Sequence, residues 1–348
     1  MRTPRILPVA AAVSASVAAT MVLAACGSSS DDSKSADASS SADQFPITVK
    51  HVFGETTIPA KPKRVATVAW ANHEVPLALG VVPVGMSKAT WGDDDNDGVL
   101  PWVEDKLDEL DAKTPVLFDE TDGIDFEAVA DTHPDVILAA YSGLTKEEYE
   151  TLSKIAPTVA YPKLAWGTSL EDMIRLDSQA MGMADEGEKL VGDLDEQVDD
   201  EFAKYPQLAD KSIIFTYIDP KDPSQVGYYT THDTRPGFLH ALGMGVPKVV
   251  AAGSAKSDGF YETISAEKAD ELDDADIFVT YGPADGSVQK LAQADPLLSK
   301  IRAVKDGSIA LLEDSTPLAA SANPSPLSIG WGLDDYFALL AAAADKVQ

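Results

Sequence analysis

The sequence predicts an α/β protein of two lobes, each built on a mostly parallel sheet flanked by helices, with a single long helix joining them. Three observations predict this. Short apolar runs of strand length alternate with helical patterns along the chain, as parallel sheets require. Residues 165–205 contain no proline, and Leu190, Leu194, Val198 and Phe202 recur every four residues, which marks one face of a helix. Finally, the stretch from Glu127 to Tyr141 parallels the stretch from Glu267 to Tyr281. Each has a glutamate, a short helix, an aspartate, a buried strand and a tyrosine at the strand's end.

The elements follow in order. Arg2 and Arg5 precede an apolar run, and small residues lead to Cys26, the only cysteine. Residues 1–25 therefore read as a secretory signal peptide. Residues 26–44 are rich in Ser, Asp and Ala and read as a flexible tether with no core of its own. The N-terminal lobe spans 45–167. It opens with alternating strands at 47–53 and 56–58, then a buried strand at 64–69. A helix at 73–79, capped by Asn72 and stopped at Gly80, leads to a strand at 81–84. Helix 126–132, strand 136–140, helix 149–155 and strand 158–161 complete the lobe. The connecting helix spans 168–205; even twenty-five residues of it would reach roughly 35–40 Å. The C-terminal lobe, 206–348, resumes the alternation. Its strands are 212–218, 277–281 and 308–312, and its helices are 237–242, 287–293 and 336–347.

Charge narrows the function. The chain carries 27 basic and 57 acidic residues, a net charge of −30. Such a balance disfavours nucleic acid and anionic lipid headgroups as partners. No second apolar run is long enough to span a bilayer. There is no G-x-S-x-G elbow, no HExxH and no catalytic cysteine, which argues against an extracellular hydrolase. The five histidines, His51, His73, His133, His232 and His240, fall at no recognised ligand spacing. Direct capture of a transition metal is therefore disfavoured. One metal pattern does occur. Asp93, Asp95 and Asp97, with Gly98 and then Glu104, fit the calcium-loop pattern D-x-D-x-D-G-x₅-E, with Pro101 placed to open the next helix.

Several longer motifs together resemble one family. They are Ile-Pro-Ala-Lys-Pro-Lys-Arg-Val-Ala-Thr-Val from residue 58 and Glu-Val-Pro-Leu-Ala-Leu-Gly-Val-Val-Pro-Val-Gly from residue 74. Phe-Glu-Ala-Val-Ala-Asp-Thr-His-Pro-Asp-Val-Ile-Leu begins at 126. Gly-Phe-Leu-His-Ala-Leu-Gly begins at 237, and Asp-Pro-Leu-Leu-Ser-Lys-Ile-Arg-Ala-Val-Lys-Asp-Gly at 295. In this order the chain resembles the binding proteins of bacterial importers for iron–siderophores and cobalamin, over about residues 45–340. The Leu-Ala-Ala-Cys ending of the leader resembles a lipobox, which implies a lipid-modified Cys26 and attachment to the outer face of the cell membrane.

The resemblance implies an extracytoplasmic lipoprotein that captures a ferric siderophore between its lobes and hands it to an ABC-type permease and its ATPase. It needs no cofactor of its own and is expected to be a monomer. Cobalamin or haem are the alternative ligands. The resemblance also implies that Glu127 and Glu267, one per lobe, dock onto permease arginines. The ligand residues are read from chemistry and position. Arg235 lies at a helix start and offers a planar set of donors to oxygen clusters. Trp91, Trp166 and Trp331 offer flat apolar walls in or near loops. Tyr141 and Tyr281 sit at equivalent strand ends, where open α/β sheets bind ligands. Tyr217, Lys88 and Trp70 are added by their nearness to strand ends.

Overall fold

A computed structural model describes residues 45–347. The expected signal peptide, Cys26 and the expected tether to residue 44 lie outside the described residues. Alternating residues at the start pair β1 (Ile47–His51) with β2 (Gly54–Ile58) as an antiparallel ribbon. Gly54, at φ +124°, lets the chain reverse there.

The first large sheet follows. Its elements are β3 (Val65–Thr67), α1 (Glu74–Ala78), β4 (Gly85–Ser87), α2 (Pro101–Glu109), β5 (Val116–Phe118), α3 (Phe126–Asp131), β6 (Val136–Ala139), α4 (Lys146–Leu152) and β7 (Thr158–Ala160). The strand order is β5-β4-β3-β6-β7, and every neighbouring pair is parallel.

Two helices come next, α5 (Leu170–Ala180) and α6 (Ala184–Phe202). The expected single connecting helix is thus divided. Gly182 sits between them at φ +68°, and a Cβ there would lie 2.7 Å from the Phe45 ring. The amphipathic period continues on both sides, so the sequence pattern masked the break. The 19 residues of α6 still span about 28 Å at 1.5 Å per residue.

The second large sheet contains β8 (Ile213–Tyr217), β9 (Gln225–Tyr229), α7 (Thr234–Ala241), α8 (Lys248–Lys256), β10 (Tyr261–Ser265), β11 (Ile277–Gly282), α9 (Ser287–Ala294), α10 (Arg302–Asp306), β12 (Ile309–Glu313), α11 (Pro317–Ser321) and α12 (Ser328–Ala344). Its order, β10-β9-β8-β11-β12, is the first sheet's order with each strand number raised by five. The direction differs at one place: β9 is antiparallel to both β8 and β10. The link from β8 to β9, residues 218–224, is too short for the crossover of a dozen or more residues that parallel strands need.

The strands alternate between two cores. Val136 and Leu138 of β6, with Phe215 of β8 and Val279 of β11, face a shared core that also holds Ile174, Leu194 and Phe337. Ile137 faces a separate outer core in the first lobe. Ile214 and Phe278 do the same in the second. Other boundaries moved as well. The first sheet's second strand lies at 85–87 rather than 81–84. The cap of α1 is His73, because the Asn72 side chain is engaged elsewhere. Among the described residues, no helix is long and apolar enough to cross a membrane.

Candidate ligand cleft

Four aromatic residues of the first lobe converge from the loops that follow its strands. Trp70 follows β3, Trp91 follows β4, Tyr141 follows β6 and Trp166 follows β7. Tyr281 of β11, Arg235 of α7, Ala319 of α11 and Asn323 face them from the second lobe. Together these eight residues line a cavity of about 210 Å³. That is smaller than the roughly 300–1,000 Å³ that encloses a drug-sized ligand. A bulky ligand would use this cavity as a floor and extend outward from it.

The walls are locked by contacts across the cleft and within the first lobe. Trp91 meets Tyr281 edge to face at 5.7 Å, and Trp166 meets Tyr141 at 5.4 Å. Tyr141 Oη lies 3.1 Å from Thr234 Oγ1 and accepts from Asn323 Nδ2 at 3.1 Å. Thr234 Oγ1 also donates to Asn323 Oδ1. Trp166 holds a left-handed backbone, φ +59°, with its N–H bonded to the Ser142 carbonyl at 2.9 Å. Its indole lies over Gly143, where a Cβ would come within 2.2 Å of Nε1.

Arg235 is the cationic member, and its charge is already met. Its Nε donates to Asp233 Oδ1 at 2.8 Å and its Nη2 to Asp233 Oδ2 at 2.7 Å. Asp233 is 1% exposed and also caps α7 by accepting the Arg235 N–H at 3.0 Å. The guanidinium lies 3.8 Å above the Tyr229 ring. Burial opposes the arginine's charge, but the paired bonds to Asp233 outweigh it and hold the group protonated. Burial pushes the Tyr281 hydroxyl up to about 12, against the lowering influence of Arg235. Tyr281 is therefore a neutral donor at physiological pH.

Residues 65–316 match the periplasmic binding protein family. The chain belongs to that family. It is similar to PiaA of Streptococcus pneumoniae, solved in complex with ferrichrome. That likeness has 45% identity and a TM-score of 0.83, and covers 87% of this chain and 100% of that one. It is 31% identical over 307 residues to a probable siderophore-binding lipoprotein, YfiY, of Bacillus subtilis, covering 85% of this chain and 88% of the relative. A second relative from Bacillus subtilis, the iron(3+)-hydroxamate-binding protein YxeB, is 25% identical and covers 76% of each chain.

The other residues singled out in this binding protein lie elsewhere. Trp331 is on α12, not in a loop, and its ring packs 5.2 Å from Trp102, away from the cavity. Tyr217 ends β8 and is 43% exposed. Lys88 is half-buried beside Ala89, Thr90 and Asp93 in a neighbouring hollow. Glu127 and Glu267 are both exposed. Each stands two residues after its N-cap, Asp125 in one lobe and Ser265 in the other, before equivalent strands β6 and β11. The 93–98 segment folds around its own acid. Asp93 accepts from the N–H groups of Asp95, Asn96 and Gly98 at 2.7–3.1 Å. Oxygens of Asp93, Asp95 and Asp97 lie within 4.8 Å of one another, and Glu104 is in the first turn of α2.

Sequence reasoning missed Asn323 and Ala319, gave Asn72 only the role of a helix cap, and ranked a pair between Arg235 and Asp233 behind a ligand role for the arginine. Asn323 and Ala319 sit some 180 residues from Tyr141, in a segment without a motif. The signal for that pair is local: an Asp two residues before Arg at a helix start is a ready cap and ion pair.

Proposed function

We propose that this protein captures a ferric siderophore in the cleft and delivers it to an ABC-type permease. The observation that carries this reading is the lining: five aromatic rings around one arginine whose charge a buried aspartate already balances. Such a surface suits a bulky, mostly apolar complex with no net charge. Three hydroxamates neutralise Fe(III), so a ferric trihydroxamate is the ligand class the cleft fits best. A polyanionic complex would meet no uncompensated cation in the cavity and a protein field of strongly negative sign. The similarity to PiaA, solved with ferrichrome, and to a hydroxamate-binding relative supports the same class. Binding needs no catalytic group.

The test is quenching of tryptophan fluorescence by ferrichrome, ferric citrate, haem and cobalamin. Ferrichrome should bind most tightly. Tighter binding of haem or cobalamin would replace this reading, and tighter binding of ferric citrate would overturn the charge argument.

The surface supports the delivery step. Glu127 and Glu267 hold matching places in the two lobes and would meet a symmetric pair of permease arginines. Exposed charges of this kind set register and approach more than affinity. Reversing both to Lys should leave ferrichrome affinity unchanged and abolish uptake of labelled iron by cells. Normal uptake would show that they are only part of the acidic surface. The Cys26 motif supports lipid attachment on the extracytoplasmic face of the membrane. Mass spectrometry of the native N-terminus should show an acylated cysteine. The converging carboxylates of Asp93, Asp95 and Asp97 support a calcium-binding loop. Calorimetry should show heat with calcium that disappears in Asp93→Ala.

A further inference from the structure

The Trp70 wall stands on an uncommon piece of backbone. Ala69 and Ala71, on either side of it, have φ of +61° and +62°. A residue with a Cβ resists this region, so other groups must hold the turn. Two side chains do so. Asn72 is fully buried. Its Nδ2 donates to the carbonyls of Val68 at 2.8 Å, Trp70 at 3.2 Å and Tyr141 at 2.9 Å. Its Oδ1 accepts the Tyr141 N–H at 2.9 Å. From the other side Glu120 accepts the Ala69 N–H with both oxygens, at 2.9 and 3.3 Å. Neither Asn72 nor Glu120 lines the cavity, whereas Trp70 and Tyr141 both do.

We propose that Asn72 and Glu120 are positioning residues of the ligand site, holding the turn at 69–72 in its left-handed form and so fixing Trp70, and through Asn72 also Tyr141, against the bound complex. This rests on the cleft being the ligand site. The physical gain is preorganisation. A wall already in place loses little freedom when the ligand arrives, so affinity depends on side chains that never touch the ligand. Asn72 serves two walls at once, because one amide reads both the turn after β3 and the strand end of β6.

The experiment uses the protein labelled with 5-fluorotryptophan, at pH 8, above the value of about 7 to which burial raises Glu120. The Trp70 fluorine resonance is assigned with Trp70→Phe. Without ligand, Glu120→Ala and Asn72→Ala should each shift or broaden that resonance and leave the Trp331 line in place. With ferrichrome as probe, Glu120→Ala should weaken binding about tenfold. Trp70→Ala combined with Glu120→Ala should bind no worse than Trp70→Ala alone, because the glutamate acts through the indole. Ala71→Gly should restore part of the affinity lost in Asn72→Ala, since glycine adopts positive φ freely. A Trp70 line unmoved in both variants overturns the proposal, and so do losses from Trp70→Ala and Glu120→Ala that add in full. If Glu120→Ala does not fold, Glu120→Met carries the same readings, keeping the side chain's length without an acceptor oxygen for the Ala69 N–H. If the wild-type protein does not bind ferrichrome, the ligand reading fails, and the ligand-free spectra still decide the turn.

Discussion

The two lobes share a strand order but divide the work of the cleft. In the first lobe every strand of the sheet runs the same way. Its strand ends therefore gather on one rim, and the loops after β3, β4, β6 and β7 each deliver one aromatic wall. In the second lobe β9 is reversed. One strand end is removed from the rim, and a helix start takes its place, bringing Asp233 and Arg235. The first lobe thus supplies a flat apolar surface and the second a neutralised polar anchor. Equal topology does not imply equal chemistry when a single strand changes direction.

The sharpest way to break this comparison is to remove the anchor. Arg235→Ala leaves the Asp233 carboxylate buried without its partner. Loss of one member of a buried pair costs about 3–5 kcal/mol, so urea denaturation should show a loss of that order. No ion pair of this burial is found among the described residues of the first lobe. A loss below about 1 kcal/mol would mean that the two lobes are anchored alike.

The first lobe has a different polar device. Glu74 of α1 is 1% exposed. It accepts from Trp102 Nε1 at 2.8 Å and from the Leu327 N–H, ahead of α12, at 2.9 Å. Burial raises it to about 7, more than its bonds from Ser325, Trp102, Leu327 and Ser328 lower it. Because the folded value lies above the unfolded one, its contribution is fully present below about 4.5 and is lost as pH rises through about 7. Relative to Glu74→Gln, the wild type should lose stability on the order of 3 kcal/mol between pH 5 and pH 8. Parallel pH profiles of the two proteins would show that Glu74 does not titrate in this range.

Each lobe also lays an aromatic ring over a glycine, and the pair tests which ring serves the ligand. A Cβ at Gly143 would meet the Trp166 indole at 2.2 Å, and one at Gly227 would meet the Tyr261 hydroxyl at 1.6 Å. Both Gly→Ala variants should lose about 1–3 kcal/mol of stability by overpacking. Only Gly143→Ala should also weaken ferrichrome binding, because Trp166 lines the cavity and Tyr261 does not. Equal losses of affinity would extend the site along the second lobe's sheet.

The smallest effect is expected where the lobes are most alike. Glu127→Lys and Glu267→Lys lie at exposed first-turn positions of equivalent helical segments. Each should change stability by no more than about 0.5 kcal/mol in thermal denaturation. A larger loss in either would give that glutamate a structural role and undo the symmetry.

Much of this was legible in the sequence. The strands 136–140 and 277–281 appeared as buried apolar runs, and their flanking motifs repeated closely enough to pair Glu127 with Glu267 and Tyr141 with Tyr281. Trp91 and Trp166 were placed at the cleft from residue type and loop position, and Arg235 from these together with the family resemblance. The errors have local causes. The helical period carries across Gly182, because periodicity reports which face is apolar and not where the chain turns left-handed. Trp331 looked like a loop residue because Gly330 and Gly332 flank it, yet helix α12 absorbs both. Strand β9 contains Gly227, which weakens any strand pattern.

The sequence by itself determined what depends on neighbours along the chain: the α/β alternation, the internal repeat and the strand-end placement of the aromatic residues. Tertiary structure alone decided what depends on distant partners. It broke the connector where Gly182 meets Phe45 and brought Asn323 to Tyr141. It also set Asn72 between β3 and β6. The physical reason is that a hydrogen bond or ion pair is fixed by distances of about 3 Å in space, and spacing along the chain carries no record of which residues folding will bring that close.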